Sequence, residues 1–133
     1  MSVIGRFLGL LLASLCLVLP TSAAERSGEE ARGPAVEVYL FWSASCPHCL
    51  VARPQIQALA AAHPWIVLHD LELGADPAHG ERYEAMAAEL GEEALAVPAL
   101  FYCGCMEVGW DAGGGSAGRL LEALEACRGG PHP

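Results

Sequence analysis

The sequence predicts an α/β domain with the element order β-α-β-α-β-β-α. Three observations carry that expectation. Apolar runs at residues 36–42, 65–73, 99–102 and 106–110 have the length and composition of strands. Stretches of helical character at residues 50–62 and 81–90, and a last one from Ser116 to Cys127, alternate with them. Two cysteines separated by two residues, Cys46-Pro47-His48-Cys49, stand where the first strand hands over to the first helix.

Each element has its own local reason. Residues 36–42 form a near-continuous apolar run with Glu37 as the one charge, the pattern of a strand covered on both faces. In the helix that follows, Leu50, Pro54, Ile56, Leu59 and Ala60 are candidates for the inward face, and Pro54 is expected to kink it. His63-Pro64 ends it. The second strand, 65–73, turns amphipathic at its end, with Leu71 and Leu73 alternating against Asp70 and Glu72. A loop at 74–80 contains Asp76-Pro77, which is also a possible helix start. Tyr83, Met86, Ala87 and Leu90 then share one helical face, and Gly91 is a plausible C-terminal cap. The last two strands flank Cys103-Gly104-Cys105. A two-residue turn with Gly second is the type I′ hairpin pattern, and Cys103 is an unusual residue at its first position. Ser116 offers an N-cap for the last helix, which carries Leu120, Leu121, Leu124 and Cys127 and stops at Gly129-Gly130-Pro131.

The chemistry concentrates at Cys46 and Cys49. Unpaired N–H groups and the positive end of the helix dipole favour an anion at a helix start. A thiolate is such an anion, so Cys46 is expected to be the nucleophile, with Cys49 placed to attack a mixed disulfide formed there. His48, if protonated, would stabilise that thiolate by charge and by donating to sulfur. A Cys-x-x-Cys pair also supplies metal ligands, but Cys103-Gly104-Cys105 is a poor second pair for a zinc site. His63, His69, His79 and His132 show no ligand spacing and read as surface or strand-end residues.

At this stretch the chain resembles the thioredoxin superfamily. Cys46-Pro47-His48-Cys49 looks like the Cys-Pro-His-Cys of DsbA-type periplasmic oxidants. Trp42, four residues before Cys46, matches the tryptophan of the thioredoxin Phe-Trp pattern. Val97-Pro98 matches the cis-proline loop that faces the active site. The resemblance covers residues 36–127 and implies a thioredoxin-like fold, a central mixed β-sheet flanked by helices. It lacks the large helical insertion of DsbA. The resemblance further implies that Pro47 belongs to the catalytic motif and that Trp42, Val97 and Pro98 shape a groove for an extended substrate. Two residues depart from the pattern. Leu40 stands where these proteins carry a buried acid, and Ser45 where thioredoxin has a second tryptophan. In a thioredoxin-like order the 103–105 turn and the end of the last helix fall at the same far corner of the sheet. A structural disulfide between Cys127 and either Cys103 or Cys105 is therefore expected, with a three-thiolate metal site as the competing reading.

Composition bounds the rest. Arg6, an apolar segment at 7–19 and small residues up to Ala24 have the anatomy of a secretory signal peptide. Its core of 13 residues is shorter than the ~17–25 of a spanning helix, though an uncleaved N-terminal anchor is the alternative. The expected organisation is a signal at 1–24, a flexible lead-in at 25–35, one thioredoxin-like domain at 36–128 and a tail at 129–133. Past residue 24 the chain has six arginines, no lysine and 16 acids, which argues against nucleic acid or anionic lipid as partner. Cys16 leaves with the signal, and the five remaining cysteines are an odd number. The function expected is an exported, monomeric thiol–disulfide oxidoreductase of the periplasm or a secreted equivalent. Its clients are cysteine-containing proteins, it exchanges electrons with a membrane or periplasmic redox partner, and it needs no cofactor beyond its dithiol. Alternatives are a reductase or isomerase fed by a membrane electron donor, a copper- or zinc-binding module, and a domain whose cysteines only staple the fold.

Overall fold

The computed structural model describes residues 33–130. The expected signal at 1–24, most of the lead-in, and residues 131–133 of the tail lie outside the described residues, as do Cys16 and His132.

Seven elements follow in chain order: β1 (Val36–Trp42), α1 (Pro47–Ala62), β2 (Ile66–Glu72), α2 (Pro77–Glu89), β3 (Ala99–Tyr102), β4 (Cys105–Val108) and α3 (Gly115–Gly129). The sheet order is β2-β1-β3-β4. The crossover through α1 makes β1 and β2 parallel, while β3 lies antiparallel to β1 and β4 antiparallel to β3. This mixed sheet with helices on both faces is the thioredoxin-like arrangement.

The strand β1 divides the core in two, because alternate side chains point to opposite faces. Val36, Val38, Leu40 and Trp42 pack with Leu100 against Cys49, Ala52 and Ile56 of α1 and Leu120 and Leu124 of α3. Phe41 packs on the other face with Ala99 and Phe101 against Tyr83 and Ala87 of α2. Phe41 stacks on Tyr83 at 4.9 Å between ring centroids and meets Phe101 edge-on at 5.5 Å. Tyr83 also donates from its hydroxyl to the Ala96 carbonyl at 2.6 Å, tying α2 to the segment before Val97.

Several element boundaries differ from the sequence expectation, each for a physical reason. Helix α1 starts at Pro47, not Leu50, because Cys46 itself is the N-cap: its sulfur accepts from the Cys49 N–H, and proline suits the first helical position. Its buried face is Cys49, Ala52 and Ile56, whereas Leu50 is exposed. The helix runs on through Pro54 as one element. Helix α2 begins at Pro77, with the Asp76 carboxylate accepting from Ala78 N–H at 2.9 Å. Gly91 follows it in the left-handed conformation. Leu90 is exposed, not inward. The hairpin turn is Cys103-Gly104, both with positive φ (51° and 74°), so Cys105 belongs to β4 and that strand stops at Val108. Ser116 is not the N-cap of α3. That place is taken by Gly114, while the buried Ser116 hydroxyl accepts from Asp111 N–H at 2.9 Å and from Arg119 at 3.0 Å.

Cys127 forms a disulfide with Cys103, 24 residues away, across a Cα separation of 6.1 Å. Cys103 is the one non-glycine residue of positive φ among the described residues, a conformation that costs an L-residue roughly 1–2 kcal/mol. The crosslink explains why a side chain is kept there. Replacing Cys127 by serine should lower stability by roughly 3–4 kcal/mol in the chain-entropy account. The measurement is a fall in the urea midpoint, with a steeper slope because the unfolded chain without the crosslink exposes more surface. Fragmentation of non-reduced peptides should show Cys127 linked to Cys103, with Cys105 open to alkylation.

Candidate functional site

The site forms where β1 ends. Trp42 is the last residue of the central strand, the chain turns through Ser43, Ala44 and Ser45, and Cys46 caps α1. The turn closes with Cys46 N–H donating to the Ser43 carbonyl at 3.1 Å. Cys46 is half-buried and Cys49 is fully buried.

The two thiols are held in unlike states. The Cys49 thiol hydrogen-bonds to the Cys46 sulfur, and the backbone N–H groups of Cys49 and His48 donate to it as well, the former at 3.3 Å. These bonds favour the thiolate and hold Cys46 below the usual thiol range, against a smaller opposing effect of burial. Burial pushes the Cys49 thiol up to about 11, helped by its hydrogen bond to Cys46 and by the charge that Cys46 carries when ionised. One sulfur is thus poised to be an anion while the other keeps its proton. The Cys46 sulfur also lies 3.5 Å from the Val97 carbonyl, to which its thiol form donates.

The 97–98 segment therefore faces the dithiol. The Val97–Pro98 peptide bond is cis, Pro98 is buried, and its carbonyl accepts from Gly109 N–H at 2.8 Å. Beside Val97 runs a cleft of about 220 Å³ lined by Leu73, Tyr83, Glu84 and residues 94–97. Leu95 on its rim is 81% exposed, and Leu50 on the first turns of α1 is 55% exposed.

Of the other residues expected here, Pro47 and His48 occupy the first turn of α1, and both are exposed. His48 reaches Cys46 through its backbone N–H. Trp42 is expected from the resemblance to shape the groove with Val97 and Pro98. It is only 8% exposed and packs in the core beneath the loop, its indole N–H without a hydrogen-bond partner among the described residues. Leu40 is fully buried, and its register partner across β2 is Asp70.

Sequence reasoning missed four residues around Trp42. The Arg53 guanidinium lies 4.3 Å from the Trp42 ring centroid and binds both oxygens of Asp70 at 3.0 and 2.9 Å, with Gln57 donating to Asp70 at 2.7 Å. Glu72, the register partner of Trp42, accepts from Ala44 N–H at 3.1 Å. The alternating Asp70 and Glu72 read as a solvated strand face; the parallel pairing with β1, which is not local in sequence, puts them beside the site instead. His79, read as a surface residue, hydrogen-bonds through Nδ1 to the Glu72 carbonyl at 2.7 Å.

At the far corner, Cys105 is a free, exposed thiol that donates to the Tyr102 carbonyl at 3.0 Å. Shielding of its sulfur by the hairpin, with repulsion from Glu107, pushes its pKa up, the opposite of Cys46. No group of three His, Cys, Asp or Glu side chains among the described residues is arranged to hold a metal ion.

No family model and no curated protein matches the chain. Among solved structures 47 chains match. One comes from work on the thiol resolving mechanism in yeast mitochondrial 1-Cys peroxiredoxin via glutathione/thioredoxin systems. It is 14% identical with a TM-score of 0.49, over 77% of this chain and 88% of that one. Another is thioredoxin O2 from Arabidopsis thaliana in the oxidized state, 20% identical with a TM-score of 0.49, over 79% of this chain and 88% of that one. Likeness at this level carries no argument about activity, and the fold assignment rests on the chain's own sheet order and strand directions.

Proposed function

We propose that the chain is a thiol–disulfide oxidoreductase that exchanges disulfides with cysteine-containing proteins through Cys46 and Cys49. The observation that carries this reading is the asymmetry of the pair: a half-buried sulfur with a lowered pKa three residues from a buried one raised to about 11. A pair that only stapled the fold would need no such difference. In the oxidising direction a client thiolate attacks the Cys46 sulfur of the Cys46–Cys49 disulfide, and Cys49 leaves with the bonding electrons and takes up a proton. A second client thiolate then attacks the client sulfur of the mixed disulfide and releases Cys46 as thiolate. Two electrons pass from the client dithiol to the protein. The reducing direction is the same sequence reversed.

The remaining assignments belong to this proposal. An extended client segment pairs with the backbone at Val97 beside Pro98, strand against strand, and sets its apolar side chains against Leu95 and the adjacent cleft. His48 tunes Cys46 by charge, its side chain being exposed and hydrogen-bonded to nothing among the described residues. The protein is exported, works as a monomer and returns its electrons to a membrane or periplasmic partner. The Cys-Pro-His-Cys motif at the helix start makes the couple an oxidising one, above about −200 mV.

Three outcomes are expected. In the reduced protein, Cys46 should be alkylated by iodoacetamide with a midpoint below the ordinary thiol value, while Cys49 stays protected until pH approaches 11. Equal midpoints for the two would end the assignment of nucleophile and resolving thiol. Cys49→Ser should accumulate mixed disulfides with client proteins, and Cys46→Ser should abolish exchange. Equilibration with glutathione should place the couple above about −200 mV, and His48→Ala should lower it; a value near −270 mV would overturn the oxidising direction.

A further inference from the structure

The turn that delivers Cys46 to the helix start bonds mostly to itself. Beyond the closing bond from Cys46 to Ser43, Ser45 N–H donates to the Ser43 hydroxyl at 3.3 Å, and the two serine hydroxyls lie 3.0 Å apart. The side chain that reaches this turn from another element is Glu72, through its bond to Ala44 N–H. Glu72 is itself fixed from three sides. Leu73 N–H, the next along the chain, donates to the Trp42 carbonyl at 2.8 Å. The Glu72 carbonyl receives His79 of α2. Its carboxylate lies over the turn after β2, so close that a methyl on Gly74 would stand 3.2 Å from Oε2. The N–H groups of Ala44, then of Gly74 and Ala75, favour the ionised form and hold the carboxyl below its ordinary range, with His79 adding a smaller attraction.

We propose that Glu72 is a positioning residue for the thiol chemistry, clamping residues 43–45 so that the Cys46 sulfur stays in front of the Cys49 N–H. The inference rests on Cys46 being the nucleophile. A carboxylate suits the task because it is a strong acceptor for the Ala44 N–H of the catalytic turn. The Glu72 main-chain carbonyl meanwhile accepts from Ala75 N–H and His79 and so anchors the residue to the β2–α2 turn. A turn released from Glu72 drifts relative to α1, the N–H groups of His48 and Cys49 lose their aim at the sulfur, and the thiolate loses their stabilisation.

The test is the pH profile of Cys46 alkylation by iodoacetamide in the reduced full chain, beside thermal melting, for wild type, Glu72→Ala and Glu72→Gln. Glu72→Ala should raise the Cys46 midpoint by about one unit, a tenfold smaller thiolate fraction at any pH below it. Glu72→Gln keeps an acceptor for Ala44 and should stay within about threefold of wild type. If the carboxylate acted by its charge alone, both variants would lower the midpoint, since removing an anion favours a nearby thiolate; that result overturns the proposal. A lower melting temperature with an unchanged midpoint also overturns it, as a purely structural role. Should Glu72→Ala fail to fold, Gly74→Ala decides, because its methyl crowds Oε2 without removing the carboxylate. About a threefold loss of thiolate is then expected, and no change overturns the clamp. The Cys46 midpoint is read separately from that of Cys49, so a pair of equal reactivity would count against the oxidoreductase reading and leave the Glu72 comparison interpretable.

Discussion

Burial of β1 on both faces is the constraint on which the rest depends. A strand covered from two sides must be apolar along its whole length, and Val36–Trp42 is, apart from Glu37 at its start. Its even-numbered side chains commit α1 and α3 to one face, and Phe41 commits α2 to the other. The strand then ends at Trp42, and the chain has three residues in which to leave the sheet and begin a helix above it. Those three residues decide where the Cys46 sulfur stands. The segment opposite, 97–98, is placed by the same strand, since β3 pairs with β1 from Phe41↔Ala99 onward. Both halves of the site are thus referred to one rigid element, the carboxyl end of a central strand, where α/β sheets place their sites.

That constraint also explains what could be read beforehand. Two-sided burial writes itself into sequence as a continuous apolar run, so β1 and the cysteine pair at its end were legible, and with them the element order. The helix start was misplaced by three residues because cysteine is not among the usual capping residues. Here its sulfur takes the oxygen's part, accepting from Cys49 N–H. Ser116 failed in the opposite way: a good capping residue sits two positions past the cap, where its hydroxyl satisfies Asp111 N–H. Trp42 could not be separated from a groove wall by sequence, because an aromatic beside a motif reads alike whether it lines the site or supports it. The Arg53–Asp70 pair and the Glu72 contact were illegible for a further reason. Each joins residues that only the parallel register of β1 and β2 brings together.

The charges around Trp42 show how a buried aromatic is held without a partner for its indole N–H. Arg53 covers the ring and is itself neutralised by Asp70, so a guanidinium is brought against the core without leaving an uncompensated charge. The pair is partly exposed, and its worth lies less in ion pairing, roughly 0–1 kcal/mol at such positions, than in fixing the plane of Arg53 against the ring. Leu40, directly across from Asp70, keeps the floor of the site apolar. Its consequence falls on Cys49, which sits in that floor and whose thiol is raised chiefly by desolvation.

A raised resolving thiol works in two senses within the proposed exchange. It protects Cys49, since a fully buried sulfur cannot be reached by an external thiolate, and attack on the disulfide is steered to the half-buried Cys46. It also makes Cys49 a reluctant leaving group, because departure is faster the lower the pKa of the departing thiol. The two effects are not of equal weight throughout the cycle. Part of the elevation of Cys49 in the dithiol comes from Cys46, by hydrogen bond and by charge. In a mixed disulfide the Cys46 sulfur is bonded to the client and carries no charge, so the Coulomb contribution disappears while desolvation, the largest cause, remains. Cys49 is therefore a better leaving group, and ionises more readily for its own attack, at the moment when either is required. Once the client has gone, the Cys46 thiolate returns and holds the proton on Cys49. The part of the asymmetry that comes from the Cys46 charge thus relaxes when a client is bound, while burial keeps the Cys49 thiol raised throughout.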